Sequence, residues 1–384
     1  SSAFSVRNAM NAGIKKYCPV DAEISFQLRD KNTVPIFVDM EEAYKNYGLD
    51  ATTGFKEYIH FNTYYDPDFT FGSYFGHYAD ILMSNFTFFN LNTPETIVKL
   101  SDYNRLMRLY DKEELQLFEG EYAVIGNFKT MVQLRNEILK EGNSITLFGC
   151  ELQPRYKECI DGYIDININA IYDGAFIVPD NIVPESSKGF DYIFGNYDAS
   201  GKEEYEAVEN MVLENFDNVF GLYQKDFNTA HEADKNNFVL YGLATTKELL
   251  KANGVGISAI LTFIGLYIGM IFLLACGAIL SLKSLTEAVD SLPNYEILRK
   301  IGADENEINR SLFRQNGIFF LLPLLLAAIH SIFGMKFAVR ILENIGMEDI
   351  ASSIALTCVV LLIIYGGYFA ITYFNSKNII RNRQ

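Results

Sequence analysis

The chain has 384 residues, of which 32 are basic and 48 acidic, and its formal net charge is −16 at pH 7. This sign disfavours nucleic acid as a partner, because proteins bind phosphate backbones through Lys and Arg. The charge is unevenly divided: residues 1–250 hold 39 acidic and 21 basic side chains, whereas 251–384 hold nine and eleven. We therefore expect a water-exposed domain at 1–250, whose acidity either serves solubility or attracts cations and cationic peptides.

The patterns between residues 21 and 244 predict an α+β domain, a mixed sheet with helices. Alternating or apolar runs predict strands at Glu23–Leu28, Phe55–Tyr65, Thr96–Leu100, Tyr122–Phe128, Ser144–Gly149, Tyr163–Ile171 and Ala175–Pro179. Helical spacing predicts helices at Val38–Gly48, after an N-cap at Ser101 with Asn104 at N3, at Lys202–Phe216 and around Ala244–Asn253.

Eleven aromatic side chains fall between Phe61 and Asn90. One face of a sheet cannot bury all of them, so we expect some to face outward. They form either a binding or membrane-contacting surface, or ordinary core with packing against a neighbour, and we favour the core.

A run from Ala252 to Leu282 contains no Asp, Glu, Lys or Arg. About 20 apolar residues cross the hydrocarbon core of a bilayer, so this run can span a membrane. Lys and Arg are concentrated at 283–316 and after Phe374, and such segments stay cytoplasmic. The sequence therefore predicts a multi-pass protein of the plasma membrane, organised as an extracellular domain 1–250, membrane helix 251–282, cytoplasmic coupling loop 283–316, membrane helix 317–335, extracellular loop 336–349, membrane helix 350–375 and cytoplasmic tail 376–384.

This topology has an odd number of spans and an external domain in front of them. It requires a further membrane helix before Ser1, so we expect the sequence to begin partway through a longer protein. Inside the spans, Gly265 and Gly269 form a GxxxG pair, and Gly366 with Ala370 repeats the small-xxx-small spacing. Small residues let helices approach closely, so we predict helix packing at these four positions.

A short amphipathic helix is predicted at 294–301, in the cytoplasmic loop. Pro293 should break the preceding helix, Gly302 should end the short one, and Asp304 with Glu307 resembles a capping box at the start of the next. A helix of two turns is unstable alone in water, so it must dock on its own membrane helices or in the groove of a partner. We expect it to expose Tyr295, Glu296, Arg299 and Lys300 and to offer Ile297, Leu298 and Ile301 as an apolar face.

Five cysteines are present, and Cys18, Cys150 and Cys159 lie in the acidic domain. Their odd number excludes complete pairing, and whether Cys150 and Cys159 form a bridge stays open, because spacing alone does not decide. No GxxxxGK[ST] loop, metal-ligand spacing or nucleophile-base arrangement is found. We therefore predict a non-catalytic chain that binds no cofactor or metal.

The C-terminal third resembles the C-terminal module of FtsX/MacB-type ABC transporter permeases, in particular the bacitracin-export, BceB-like branch of Gram-positive bacteria. The resemblance rests on the pair Glu287 and Ala288, the segment Tyr295–Gly302, Gln315 and the segment His330–Gly334. Residues 1–250 match that family only by size and placement and in short stretches such as Ile97–Asn104.

The resemblance implies a permease of ten spans with a large external domain between the seventh and the eighth. It also implies a dimeric ABC-type ATPase partner, which binds ATP and Mg and docks on a coupling helix. Tyr295–Gly302 would be that coupling helix. Family members act in peptide-antibiotic resistance, sensing or export, so the implied partners include a sensor histidine kinase, membrane lipid and a cationic or lipid-bound peptide ligand. The seven preceding spans would lie outside this sequence.

Two alternatives come from other classes of protein. One is an FtsX-like signalling scaffold whose external domain regulates cell-wall hydrolases, although such scaffolds have smaller external domains and four spans. The other is a membrane-anchored adhesin with no ATPase, which leaves the short cytoplasmic helix without a role.

Overall fold

A computed structural model of the chain describes residues 13–85, 90–233, 235–344 and 351–381. They form two compact units with a boundary between Gly254 and Val255, named here the N-terminal unit and the C-terminal unit. The predicted fold class is confirmed, because a mixed sheet with helices is followed by three long apolar helices. Phe86, Phe88 and Phe89 of the aromatic stretch, 345–350 and the last three residues lie outside the described part.

The described residues of the N-terminal unit contain an eleven-stranded sheet. Its strands are β1 Ala22–Asp30, β2 Pro35–Ile36, β3 Phe55–Tyr64, β4 Ile97–Lys99, β5 Glu121–Gly126, β6 Ile145–Leu147, β7 Cys150–Pro154, β8 Ile160–Asp161, β9 Ala175–Val178, β10 Lys188–Tyr197 and β11 Phe238–Thr246. The order is β11-β1-β10-β3-β4-β9-β5-β7-β6, with β2 beside β1 and β8 beside β5. Most neighbours are antiparallel, whereas β4–β9, β5–β7 and β5–β8 are parallel.

Helices cover this sheet. In the N-terminal unit the helices include α1 Met40–Asn46, α2 Phe71–Phe75, α3 Ala79–Asn85, α4 Leu100–Leu109, α5 Lys129–Glu141 and α6 Lys202–Ala230. Strand β1 shows how the core is divided, because successive side chains of a strand point to opposite faces. Ile24 and Phe26 pack against α1 and α6, whereas Glu23 and Ser25 are buried on the opposite face. The carboxyl group of Glu23 is therefore buried in a central strand, where a charge is costly, and it lies close to Asp165.

The segment Tyr163–Ile171, predicted as a strand, is irregular, and that prediction was wrong. Tyr163, Ile164, Ile166 and Ala170 are buried, but the backbone does not pair as a strand: Ile166 N donates to the side chain of Glu23 (Oε2, 2.7 Å) and Asn167 N to the Tyr17 carbonyl (3.0 Å). The predicted cap at Ser101 was wrong as well. Helix α4 begins at Leu100, so the N-cap position is Lys99, two residues before Ser101, and the Asn104 side chain bonds with the backbone of Leu115 instead.

The aromatic stretch supplies core residues. Those that are buried are Phe61, Tyr64, Phe69, Phe71, Tyr74 and Phe75, so the core interpretation holds for them. All five cysteines are free thiols, and Cys150 and Cys159 are not bridged. Cys18 is buried in the core, and burial raises the pKa of its thiol to about 12. Its reactivity therefore reports on opening of the N-terminal unit.

The C-terminal unit consists of helices. Helix α7 spans Lys247–Asp290 and is followed by α8 Leu292–Lys300, α9 Glu305–Asn344 and α10 Ala351–Arg381. In the described part, three segments are long and apolar enough to cross a membrane: Tyr267–Asp290, Glu305–Lys336 and Cys358–Arg381. Ser284 Oγ donates to Asn316 Oδ1 (2.7 Å), and the hydroxyls of Ser281 and Thr372 lie 2.7 Å apart, so polar contacts join α7 to α9 and α10.

Candidate functional site

The short helix α8 is held between two longer helices by compact connections. Helix α7 ends at Asp290, Ser291 is the single connecting residue, and Pro293 lies in the first turn of α8, where no N–H is needed for the helix. At the other end, Gly302 N bonds to the Arg299 carbonyl and Ala303 N to the Leu298 carbonyl, both at 3.0 Å. This is a Schellman motif, and Gly302 supplies the positive φ of 95° that it requires.

The inner face of α8 is docked on the helices of its own unit. Leu292 and Tyr295 are buried in a cluster with Ala288 of α7, Ile308 and Leu312 of α9 and Ile380 of α10. The Tyr295 hydroxyl also donates to Gln315 Oε1 (3.1 Å). The expectation that Tyr295 is exposed was therefore wrong: its ring is needed to bury the inner face of a helix too short to be stable alone.

Arg299 has a second anchoring role. Its Nε donates to Glu305 Oε1 at 2.7 Å, and its Nη2 donates to the Ile380 carbonyl at 3.4 Å. The side chain is thus half-buried instead of exposed as predicted, and it links α8 to the first turn of α9 and to the end of α10. The predicted capping box is present in one half only, since Glu307 Oε2 accepts from Asp304 N (3.4 Å), while the Asp304 carboxylate accepts from Asn306.

The outer face of α8 is apolar and uncovered in the described part of the chain. Ile297, Leu298 and Ile301 expose 57%, 37% and 75% of their surface, and Glu296 and Lys300 are exposed beside them. α8 therefore combines two properties that the sequence indicated. Its inner face is docked on the long helices of its own unit, and its apolar outer face is exposed, as in helices that bind in a groove.

The predicted helix-packing positions lie in α7 and α10, but the close approach observed is elsewhere. A Cβ added at Gly269 or Gly366 would meet no atom within 4 Å, and the surroundings of Gly265 lie outside the described residues. Helix packing at these positions and at the half-buried Ala370 therefore stays a prediction. Instead, a Cβ at Gly277 would lie 2.8 Å from the ring of Tyr368. The run of small residues Ala275–Ala278 could have indicated this contact.

No family model matches the chain. Over 107 residues it is 33% identical to the ABC transporter permease protein YxdM of Bacillus subtilis, an alignment that covers 28% of this chain and 15% of that protein. It is 29% identical over 123 residues to the uncharacterized ABC transporter permease YvcS of the same organism, covering 32% and 18%. Over 74 residues it is 32% identical to the bacitracin export permease protein BceB, also of Bacillus subtilis, covering 19% and 12%.

These relatives are ABC transporter permeases, and with its three long apolar helices the chain is a membrane protein similar to them. Within that class it resembles the BceB-like permeases, which confirms the resemblance recognised in the sequence. Each of the three alignments spans less than a fifth of the relative's length.

Proposed function

We propose that this chain is the C-terminal part of a permease subunit that couples ATP hydrolysis in a separate ATPase subunit to movement of the N-terminal unit. In this proposal the chain itself is not an enzyme, and ATP and Mg are bound by the partner ATPase, which acts as a dimer. The observation that supports it is α8, whose inner face is fixed by Leu292, Tyr295 and Arg299 while Ile297, Leu298 and Ile301 face outward.

The connections of α8 suit the transfer of a mechanical displacement. One residue separates α8 from α7 and four separate it from α9, so a partner that moves α8 must also move the ends of both long helices. The Tyr295–Gln315 and Arg299–Glu305 hydrogen bonds oppose independent rotation of α8. Exposed apolar side chains flanked by Glu296 and Lys300 are typical of a helix that inserts into a groove, with charged groups at the rim.

The proposed setting is the plasma membrane, with residues 1–250 outside and α8 in the cytosol. An excess of 18 acidic side chains in 1–250 favours a cationic or lipid-bound peptide as ligand. We assign the subunit to peptide-antibiotic resistance, sensing or export, alongside a sensor histidine kinase. Support for this assignment comes from the similarity to the bacitracin export permease.

Co-purification tests the coupling surface. The permease and its ATPase are expressed together, and the variant Leu298→Asp/Ile301→Asp is compared with the unmodified chain for ATPase bound and for stimulation of ATP hydrolysis. We expect at least about a tenfold loss of affinity, because charges at the centre of an apolar interface remove its main anchors. Val239→Asp, at a similarly exposed valine of the N-terminal unit, is the matched control. Undiminished ATPase binding by the double variant would refute the proposal.

A further inference from the structure

The N-terminal unit contains a cavity of about 400 Å³. Gln27 and Arg29 of β1, Phe190 and Tyr192 of β10, and the segments 93–96 and 172–174 contribute to its walls. Ligand pockets in proteins range from about 300 to 1,000 Å³, so this one accommodates a small molecule or a single large side chain.

The charges that line the cavity do not balance. Glu95, Asp165 and Asp173 contribute three carboxyl groups, and Arg29 contributes one guanidinium. Arg135, behind the lining, is paired with Glu95, so the carboxyl groups exceed the guanidinium groups by one. The Arg29 group lies over the ring of Phe190, 4.8 Å from its centroid, and its Nε is buried with no hydrogen-bond partner in the described part of the chain. Desolvated carboxylates in excess of cations are costly, which favours either protonation or a bound positive charge.

Glu95 is built into the wall. Its side chain is 1% exposed, and its Oε2 accepts a hydrogen bond from Nη2 of the equally buried Arg135 (2.8 Å). Its Oε1 has no partner among the described residues, although buried carboxylate oxygens normally have one. The Nε of Arg135 donates to the Asp173 carbonyl at 3.0 Å, so Arg135 links the wall segment that contains Glu95 to the one that contains Asp173. Gly174 permits this approach, because a Cβ there would lie 3.1 Å from Arg135 Nε.

The acidic groups of Asp173 and Glu23 lie close to Asp165, together with the phenols of Tyr172 and Tyr192. Burial and then the charge of Asp173 raise the pKa of the Asp165 carboxyl to about 7. Glu23 is fully buried, and one of its oxygens accepts from Ile166 N while the other has no partner among the described residues. Burial and then the charge of Asp165 raise the pKa of its carboxyl as well. A positive charge placed beside Asp165 and Asp173 would relieve this repulsion.

The remaining walls and the rim suit an organic cation. Phe71, Tyr172 and Tyr192 present aromatic surface to the cavity, and aromatic faces attract cations. At the rim, the hydroxyls of Thr33 and Thr93 lie 3.1 Å apart. Thr33 adopts a φ of 70°, a costly conformation for a β-branched residue that is retained where surrounding structure demands it. In the described residues no group of three His, Cys, Asp or Glu is placed to hold a metal ion.

We propose that this cavity binds a primary ammonium or guanidinium group attached to a small apolar or aromatic body, with Asp165 and Asp173 as the counter-charges. The site does not depend on the permease function, because it is formed entirely by the N-terminal unit. Glu95 has a positioning role and holds the wall through Arg135.

Calorimetric titration of the full chain in detergent tests the site with three probes of similar size: 2-phenylethylammonium, the neutral 2-phenylethanol and the anionic phenylacetate. We expect saturable binding of the ammonium probe at pH 8, at least about tenfold tighter than either analogue, since a buried ion pair discriminates by charge. Equal binding of the neutral probe, preference for the anion, or no saturable binding of the ammonium at millimolar concentration would each overturn the proposal.

Variants separate binding from a structural role. Asp165→Asn should weaken ammonium binding at least about tenfold, and Asp165→Glu, which keeps the charge, should retain most of it. Without ligand, Asp165→Asn should slow thiol labelling of the buried Cys18 at pH 8, because it removes a desolvated charge. If Asp165 had only a structural role, Asp165→Asn would instead speed the labelling of Cys18. Glu57→Gln, at an exposed carboxyl of the same unit, should change neither quantity, and full ammonium binding by Asp165→Asn would refute the assignment.

Discussion

The hydroxyl of Tyr295 donates a hydrogen bond to Gln315 Oε1 at 3.1 Å, and this contact joins α8 to α9. Both residues belong to the segments on which the resemblance to ABC permeases rests. The contact gives a structural reason for their presence together, because the ring buries the inner face of α8 while its hydroxyl fixes the position of α9 relative to it. Burial also raises the pKa of the phenol, so it stays a donor at neutral pH.

Removal of this hydroxyl should loosen α8 without unfolding it. We expect Tyr295→Phe to speed backbone hydrogen exchange across 293–302 about fivefold, since a typical hydrogen bond contributes about 1 kcal/mol. ATPase stimulation should fall more than ATPase binding, because the outer face is unchanged. Tyr365→Phe is the matched control: it removes a hydroxyl that donates to the Phe320 carbonyl (2.9 Å) and should leave exchange in α8 unaltered. Unchanged exchange in Tyr295→Phe would show that packing alone holds α8.

Removal of one member of the buried pair Arg135 and Glu95 should destabilise the protein much more than replacement of both. Arg135→Met leaves the Glu95 charge buried without its partner, and we expect a loss of about 3–5 kcal/mol in the free energy of unfolding. Arg135→Met/Glu95→Gln removes both charges and should recover much of that loss. The measurement is the rate of Cys18 labelling in denaturant on the full chain. A double variant as unstable as the single one would show that Arg135 acts through packing against Phe75 and Tyr74 instead.

His60 should make the N-terminal unit more stable at lower pH. Burial alone lowers the pKa of its imidazole, but Asp191 (Nε2–Oδ1 2.5 Å) and Glu41 (Nδ1–Oε1 3.0 Å) outweigh burial and raise it above the ordinary 6.5. A raised histidine pKa stabilises the folded state fully below the unfolded pKa, and the contribution is lost as pH rises through the folded pKa.

The test compares unmodified chain with His60→Gln by Cys18 labelling as a function of pH. We expect the variant to be less stable by on the order of 1 kcal/mol below pH 6.5, with the difference shrinking as pH rises. Other titrating groups, including Asp165, are common to both chains and cancel in the difference. A difference that grows with pH would contradict the sign.

The predicted orientation is tested by labelling an added thiol. Asn294→Cys, at an exposed position of α8, should react with a membrane-impermeant maleimide only after cells are opened. Tyr241→Cys, on the exposed face of β11, should react in intact cells. Mass spectrometry of the labelled peptides distinguishes them from the native cysteines. Labelling of position 294 in intact cells would reverse the topology and remove the basis for an ATPase docking on α8.

Local sequence patterns predicted those elements whose side chains and termini define them. The alternation around Ile24 and Phe26 predicted β1, and Pro293 with Gly302 bracketed α8 within two residues. At Tyr163–Ile171 the alternation of apolar and polar residues wrongly predicted a strand, because apolar side chains of this segment are buried without strand pairing. Strands β10 and β11 were missed, since their pairing with β1 is set by residues far away in the chain.

The cavity was also beyond reach of sequence patterns, for the same reason. Glu23, Glu95 and the neighbouring pair Asp165 and Asp173 come from three distant parts of the sequence and meet only in the folded unit. One signal was available: Glu23 occupies a strand whose alternate residues are apolar, and its own face of that strand is also buried. The length and composition of α8 were enough to predict that it is partly exposed. The buried position of Tyr295 could not be predicted in this way, because it depends on the neighbouring helices.

The position of β1 has a consequence for how the protein is made. β1 pairs on one side with β10 and on the other with β11, so among the described strands of its unit the first to be synthesised waits for the last two. Ribosomes add about 5–20 residues per second, which leaves most of both edges of that strand unpaired for on the order of ten seconds or more. Because α7 follows β11 without an intervening residue, the sheet can be completed only as the long apolar helix α7 is being synthesised.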